Sequence, residues 1–590
     1  MPGALRGASR ARSVRLALAI LAAVAGAWPA TVGAESPASL SQRAAALADS
    51  ISLDWSHSLN RSGAIVDPLT GYLEGGYGRT FLAYGMLRAT QRDPALALLP
   101  VVARALETSD GVDQAPFNLL GLAEALMHAG RAFGPSPTEV LVGAVLSAPP
   151  LGSASPSAPC FRRAGCYDNL KLVEQTAVLA TLAALPGRSG PVGSIFAAPA
   201  AAARAARHLI GVTVPSVQVD GAQLQLAAAR LPAATLSDPT TDPPAYLALS
   251  AMMLGRALEL SNRPAQSALR AFQLAIVALL GTVAPDGDVS YMGRGQGQVW
   301  TMASAGAACA LAMRLLPNQH LLTSHCEGLL DTELDALAIR RSLGGIGIAT
   351  VPRLSWTRGV DRYANPTDYD GLTVYALNVA ADALAGLPDP GESPPPGGVS
   401  GERFLDAGGS GLATTDRQGL WFAVHRRSTS RSDSRWGFGL MAMERFQAGA
   451  WRSVLTDRPL GPGVQGPVLL AGHHEYAPRG LSVKVSAGTI LVRGGWFQGN
   501  RLVRPATFRY EATSNGVVLR VPVVRGDELI VREWTLPGAP STLAALAPTG
   551  EQSSSRLRLR LGNDASDSLD QVGDRVRARR NGVMRFLWAG

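Results

Sequence analysis

The sequence predicts an α+β chain of two unlike parts, an incomplete helical (α/α) toroid followed by an antiparallel β-sandwich. Three observations carry that expectation. Alanine- and leucine-rich segments of helical length recur from about Ser39 to Leu387, separated by Gly, Pro, Ser and Asp. A stretch with little capacity for helix or strand, LPDPGESPPPGGVSG, then interrupts the pattern. Beyond it, short alternating runs follow one another closely with turn residues between them. Helices first and strands second argue for two packed regions rather than one α/β sheet.

The N-terminus reads as a targeting segment, residues 1–34. Arg6, Arg10, Arg12 and Arg15 precede an apolar run from Leu16 to about Trp28, and Val32-Gly33-Ala34 supplies small residues before Glu35. The run is short for a membrane span. Cleavage after Ala34 would leave a secreted or periplasmic protein with no stable membrane anchor. The net charge is +9, carried almost wholly by arginine, since Lys171 and Lys484 are the only lysines. Most of the excess falls after residue 400. Such a balance favours polyanionic partners, and export disfavours nucleic acid among them.

The toroid is expected over residues 35–386. Its helices are Arg79 to Thr90, Phe117 to Ala129, Leu170 to Ala184, Tyr246 to Leu260, Ala265 to Leu280, Val299 to Leu315 and Leu372 to Leu384, with a β-like or irregular piece at Val212 to Leu226. Several are apolar nearly all round, which requires burial on both sides. Two layers of antiparallel helical hairpins meet that requirement. Residues 387–400 form the linker and 401–590 the sandwich. Its expected strands include Leu420 to His425, Leu481 to Val485, Thr489 to Val492, Thr507 to Glu511, Val517 to Val523, Leu529 to Trp534 and Arg556 to Leu561.

Four cysteines in an exported chain suggest disulfides. Cys160 and Cys166 enclose the short loop CFRRAGC and are expected to pair, with Cys309 and Cys326 as a second bridge. There is no CxxC and no His at ligand spacing, so no metal is expected. No Walker-type loop exists, and Gly293-x-Gly295-x-Gly297 lacks the strand and acid of a dinucleotide site, so no cofactor is expected.

The hydrogen-bonding side chains concentrate in Pro285 to Trp300, PDGDVSYMGRGQGQVW, where Tyr291, Arg294, Gln296, Gln298 and Trp300 sit among glycines ahead of a helix. Three further clusters also run into apolar helices: Gly71 to Phe81 with Tyr77 and Arg79, Pro159 to Glu174 with Asn169 and Glu174, and Arg362 to Leu372 with Tyr369. In an antiparallel toroid, inner-helix N-termini share one rim, so these clusters would line one cleft with a dipole preference for anions. Each also reads as ordinary capping, for which Asp168, Asn169 and Asp370 are suited.

This layout resembles the polysaccharide lyases of the chondroitin/hyaluronate and heparinase II/III-like groups. In the chondroitin/hyaluronate group an Asn opens an inner helix, aromatics follow, and a Glu stands five positions on. Here Tyr167-Asp168-Asn169-Leu170-Lys171-Leu172-Val173-Glu174 keeps the Asn and the Glu but has Leu and Lys where Trp is usual. The group also has an Asp-Gly-led segment with a His and then Tyr-x-Gly. Here Asp286-Gly287 precedes Tyr291-Met292-Gly293 and Arg294, and the His is missing.

The resemblance implies β-elimination on a uronic-acid-containing polysaccharide. Asn169 would donate to the sugar carboxylate, with Arg294 or Arg79 supplying positive charge. Tyr291 would serve as base, acid or both, its phenol made more acidic by Arg294. Tyr77, Glu174, Gln296, Gln298, Trp300 and Tyr369 would line the sugar site. Among the histidines that stand in for the missing one, His57, His425 and the loop pair His473-His474, His473 is favoured by its place in a loop. Two other functions stay open. A toroid glycoside hydrolase would draw two carboxylates from Glu74, Glu174, Asp288 and Asp370. A non-catalytic carbohydrate-binding protein would account for the absent His and Trp residues.

Overall fold

The computed structural model describes residues 35–58, 65, 78–93, 115–129, 168–185, 218–226, 229–236, 243–261, 264, 266–289, 298–342, 346–348, 366–388, 403–405, 412–426, 438–447, 449–453, 466–471, 473–532, 569–572, 575–578 and 582–589. Residues 1–34, Cys160, Cys166 and most of residues 387–400 lie outside them.

The helices are α1 (Pro37–Ser56), α2 (Gly78–Arg92), α3 (Ala115–Ala129), α4 (Asp168–Ala184), α5 (Pro243–Leu260), α6 (Gln266–Thr282), α7 (Val299–Leu315), α8 (His320–Ser342) and α9 (Pro366–Leu384). An antiparallel hairpin, β1 (Gln218–Leu226) and β2 (Ala229–Leu236), stands between α4 and α5.

Burial sorts the helices into two layers. In α7, VWTMASAGAACALAMRL, every residue from Val299 to Met313 is buried, because its small side chains let neighbours close on all sides. In α1 only a stripe is buried, Leu40, Ala44, Ala48, Ile51 and Trp55, at helical spacing. Ser36 starts that helix: its Oγ accepts from the Ser39 N–H at 3.2 Å and Pro37 follows at the first position. Helix α8 likewise buries one stripe.

The inner layer is a ring in which α2, α3, α4, α5, α7 and α9 pack in succession and α9 returns to α2. Helices α1, α6 and α8 pack outside it. Ring helices run parallel, as contacts at both ends establish. At the N-terminal end, the Gly78 N–H donates to Asp368 Oδ1 (2.8 Å) and Thr80 Oγ1 to Asn118 Oδ1 (3.4 Å). At the C-terminal end, Arg88 of α2 forms a two-pronged pair with Asp382 of α9 (2.6 Å each). There Arg256 of α5 pairs likewise with Glu124 of α3 (2.8 and 2.7 Å).

The strands form two sheets. The smaller is a meander of β3 (Arg403–Leu405), β4 (Leu412–Arg417), β5 (Leu420–His425), β6 (Gly439–Gln447) and β7 (Ala450–Ser453). The larger comprises β8 (Gly466–Ala471), β9 (His474–Ser486), β10 (Thr489–Gln498), β11 (Arg501–Thr513), β12 (Gly516–Val523), β13 (Glu528–Arg532), β14 (Leu569–Val572), β15 (Arg575–Ala578) and β16 (Gly582–Ala589). Its order is β14-β15-β13-β8-β9-β10-β11-β12-β16.

Leu420, Phe422, Val424 and Phe438 of the small-sheet side meet Ile490, Val492, Trp496, Phe508, Tyr510 and Leu519 of the large sheet in one apolar core. The other face of the small sheet meets the helical region. Trp421, Ala423 and Met441 cluster with Ala284, which follows α6. Strand β5 is therefore buried on both faces, LWFAVH throughout. The order of layers is helices, small sheet, large sheet.

One expectation is corrected. Cys309 of α7 and Cys326 of α8 are neighbours, but both are free, buried thiols with no bond between the sulfurs. Burial and the adjacent Cys326 push the Cys309 thiol well above its ordinary value, which disfavours a nucleophilic Cys309 thiolate.

Candidate functional site

Parallel packing brings the ring's N-terminal turns to one mouth. Two glycines make the tightest part of it. A side chain at Gly78 would lie 2.2 Å from the Thr367 carbonyl oxygen, and one at Gly371 would lie 2.5 Å from that of Gly78. Helices α2 and α9 thus touch backbone to backbone, which only glycine permits.

Next to that contact the first turns of α5, α7 and α9 supply three aromatic rings. Tyr246 lies 5.5 Å from Trp300, and Trp300 stacks on Tyr369 at 6.5 Å with planes 23° apart. Gln298, the N-cap of α7, fixes the indole: its Oε1 accepts from Trp300 Nε1 at 2.5 Å, and its carbonyl accepts from Thr301 Oγ1 at 2.6 Å. Arg79 and Thr80 of α2, Asn118 of α3 and Asn169 of α4 complete the set, all buried. Glu174 is buried about 7.5 Å further down α4, at 1.5 Å per residue.

The acids of this end are already engaged. Asp368 holds the Gly78 N–H, and Asp370 Oδ2 accepts from Trp55 Nε1 (2.7 Å) and the Ile348 N–H (3.2 Å). Burial raises the Asp370 pKa well above the usual carboxylate range despite those donors.

A second acidic group joins the helical region to the sandwich. Five residues link α5 to α6, so α6 runs back and its C-terminal end lies on the mouth side. There Asp286 and Asp288 meet Glu333 and Arg340 of α8 and Glu444 of β6. The Asp286 N–H donates to Glu444 Oε2 (3.0 Å), and the Asp288 N–H to Asp286 Oδ1 (3.0 Å). Burial first, then the nearby Asp286, raises Glu444 well above the carboxylate range; burial and Asp288 do the same to Glu333. Both carboxyls are thereby biased toward the protonated form.

The opposite end of the ring is a closed charge network. Arg256 also reaches Glu259 (2.5 Å), Tyr375 donates to Glu124 Oε1 (3.2 Å), and Arg314 pairs with Glu259 (3.2 Å). His128 lies among Arg88, Glu124 and Asp382. Burial and the Arg88 charge push its pKa down to about 4, so it is neutral there. Among the described residues no group of three His, Cys, Asp or Glu is placed to hold a metal, and no helix is long and apolar enough to cross a membrane.

Three solved structures that resemble this chain are a xanthan lyase, a heparinase III and a chondroitinase AC lyase. A Paenibacillus xanthan lyase overlaps 88% of this chain and 50% of its own, at a TM-score of 0.46 and 11% identity. A heparinase III overlaps 91% and 83%, at 0.40 and 10%. A chondroitinase AC lyase, solved in complexes with oligosaccharide, overlaps 93% and 83%, at 0.38 and 11%. This chain spans half the length of the xanthan lyase. No family model matches the chain, and no curated protein matches it by sequence.

Arg79, Asn169, Gln298, Trp300 and Tyr369 are buried in or beside the first turns at the N-terminal end of the ring. Tyr77, Tyr291, Arg294 and Gln296 lie outside the described residues. His473 is exposed in the turn between β8 and β9, in the large sheet, whereas the small sheet faces the helices. His57 is exposed at the C-cap of α1, and His425 is buried in β5. Sequence reasoning missed Tyr246, Asn118 and Glu444. Tyr246 follows a Pro-Pro pair that opens α5, a usable signal. Glu444 sits in a strand with no pattern to distinguish it.

Proposed function

We propose that the chain is an exported polysaccharide-lyase-like protein that cleaves a uronic-acid-containing polysaccharide by β-elimination at the mouth of the helix ring. One observation carries the reading. Six parallel helices bring an arginine, amides and a stacked aromatic run to one end of the ring. Guanidinium and amide donors suit an anionic sugar, and stacked rings suit its apolar face.

In this mechanism Asn169 donates to the uronate carboxylate while Arg79 and Arg294 offset its charge. The carbon-5 proton then becomes removable, since the developing enolate is stabilised. Tyr291, as the phenolate that Arg294 favours, takes that proton, and the bond from carbon 4 to the leaving oxygen breaks as a double bond forms between carbons 4 and 5. The leaving oxygen then takes a proton from the Tyr291 phenol, which restores the phenolate. Gln296, Gln298, Trp300, Tyr77 and Tyr369 hold the sugars, and Glu174 supports the Asn169 turn. The domains are residues 35–386 and 401–590 about the linker 387–400, preceded by a leader cleaved after Ala34. Cys160 and Cys166 form a disulfide in the exported protein.

Hyaluronan, chondroitin, heparin and alginate, assayed by the ultraviolet absorbance of an unsaturated product, test the proposal. Absorbance growth with one polymer, abolished by Tyr291→Phe while binding persists, is expected. New reducing ends without absorbance would establish hydrolysis instead. Binding without any cleavage would make the chain a carbohydrate-binding protein.

A further inference from the structure

The outer face of the large sheet carries a feature the mouth does not use. Ile490, Val492, Phe508, Tyr510, Val517, Leu519 and Val521 point into the sandwich core. By the alternation of a strand, Lys484, Leu491, Arg493, Thr507, Arg509, Glu511 and Arg520 then stand on the opposite face. The register sets them in rows. Lys484 is opposite Leu491, Leu491 opposite Arg509, and Arg509 opposite Arg520, so one line crosses β9, β10, β11 and β12. The neighbouring row runs Ser482, Arg493 and Thr507.

Strands are about 4.8 Å apart, so Lys484 and Arg509 stand roughly 10 Å apart and Arg509 and Arg520 about 5 Å. Directly opposed like charges destabilise a sheet. Glu511 offsets one such contact, reaching Arg509 at 2.5 Å and Arg520 at 2.6 Å. Lys484 and Arg493 are exposed and make no ion pair among the described residues. Four cations thus face one carboxylate on a surface where ordinary solubility would intersperse both signs.

We propose that this face is a second, non-catalytic binding site for a linear acidic polysaccharide, which lies across the strands along the Lys484–Arg520 row. The straight line of charge matches a linear polyanion, and Ser482 and Thr507 beside it offer hydroxyls to sugars. No aromatic side chain stands on these rows to stack nucleic acid bases. The site lies on the far side of the sandwich from the helices, with the small sheet between, so it does not extend the mouth. It anchors long chains and raises their local concentration for cleavage. The inference shares with the proposed function the class of polymer, but it does not require turnover.

The test uses the full-length chain, the double variant Lys484→Gln/Arg493→Gln and, separately, Asn169→Ala. Both double-variant positions are exposed and unpaired, so folding is retained. Binding to hyaluronan is measured against added salt, with uncharged dextran and phosphatidylglycerol vesicles as the other arms. The expected result is roughly tenfold weaker hyaluronan binding and a shallower salt dependence in the double variant, while Asn169→Ala, an uncharged change at the mouth, keeps the parent's salt dependence. Turnover of a short oligosaccharide by the double variant stays at the parent's level. Equal hyaluronan binding by parent and double variant overturns the proposal, as does parental binding of vesicles but not hyaluronan. If no polymer is cleaved yet binding responds to the double substitution, the lyase reading fails and this one stands.

Discussion

Replacing Glu444 by Gln asks whether a retained proton holds the helical region to the sandwich. Glu444 is buried in β6, accepts the Asp286 N–H at 3.0 Å, and lies near Asp286 and Asp288, with Glu333 on the other side of that pair. Arg340 is the cation that acts on Asp286 and Glu333. Burial and the acid neighbours raise the Glu444 pKa, so the folded chain keeps a proton that the unfolded chain releases at the ordinary carboxylate value. For a raised acid the contribution is full below the unfolded pKa and is lost as pH rises through the folded one. Across that interval, stability falls by about 1.4 kcal/mol per pH unit for the one proton. Gln is neutral in both states. It can still accept the Asp286 N–H and donate to the Asp286 carboxylate, so the substitution removes the slope while keeping the contact. Urea unfolding followed by tryptophan fluorescence, from about pH 5 to about pH 8, reads this directly. Trp421 lies in the same junction. The variant should gain on the parent by about 1.4 kcal/mol with each unit while Glu444 remains protonated in the fold. Parallel pH curves for the two proteins would refute the argument, and so would a variant that loses ground as pH rises.

Three further outcomes are expected. Glu124→Ala strands the Arg256 guanidinium in the core beside Glu259 alone and should cost about 3–5 kcal/mol in urea unfolding, most of it recovered when Arg256 becomes Met as well. Gly371→Ala drives a methyl group toward the Gly78 carbonyl oxygen and should cost about 1–3 kcal/mol by the same assay, with loss of any polysaccharide turnover because the mouth is forced apart. Cys309 and Cys326 should resist alkylation in the folded protein and both react once it is unfolded without reductant, as peptide mass spectrometry can show. Blocked thiols at both positions would mean that a bridge forms in the mature protein.

The helical half was legible because inner-ring helices must be apolar all round. Val299 to Leu315 is bounded as expected, and Leu420 to His425 likewise, since burial on both faces leaves a continuous apolar run. Helix α8 was not among the expected segments: HLLTSHCEGLLDTELDALAIRRS shows only a stripe to the core and is otherwise polar. Strand β10 was expected to end at Val492, before Gly494-Gly495. The strand instead runs through both glycines to Gln498, because side chains there would meet the Arg479 and Arg504 carbonyl oxygens at 1.9 and 2.2 Å. Glycine here marks close strands, not a turn. The junction of Asp286, Glu333 and Glu444 could not be read, since its members are far apart in sequence and only the packing of α6, α8 and β6 brings them together.

The two ends of the ring carry opposite electrostatic treatments, and that difference bears on which end meets a ligand. Parallel helices align their dipoles, so positive ends collect at the mouth and negative ends at the far rim. At the far rim the chain supplies matching cations, Arg92, Arg256 and Arg314, and binds them to acids. At the mouth the compensation is partial. Helices α2, α3, α5 and α7 have no acidic residue in their first turns, and Asp368 of α9 is committed to the Gly78 N–H. A fold selected for stability alone would place acids at those N-termini, each worth about 0.3–1 kcal/mol. Their absence at four of the six helices leaves those dipoles without a first-turn side-chain countercharge.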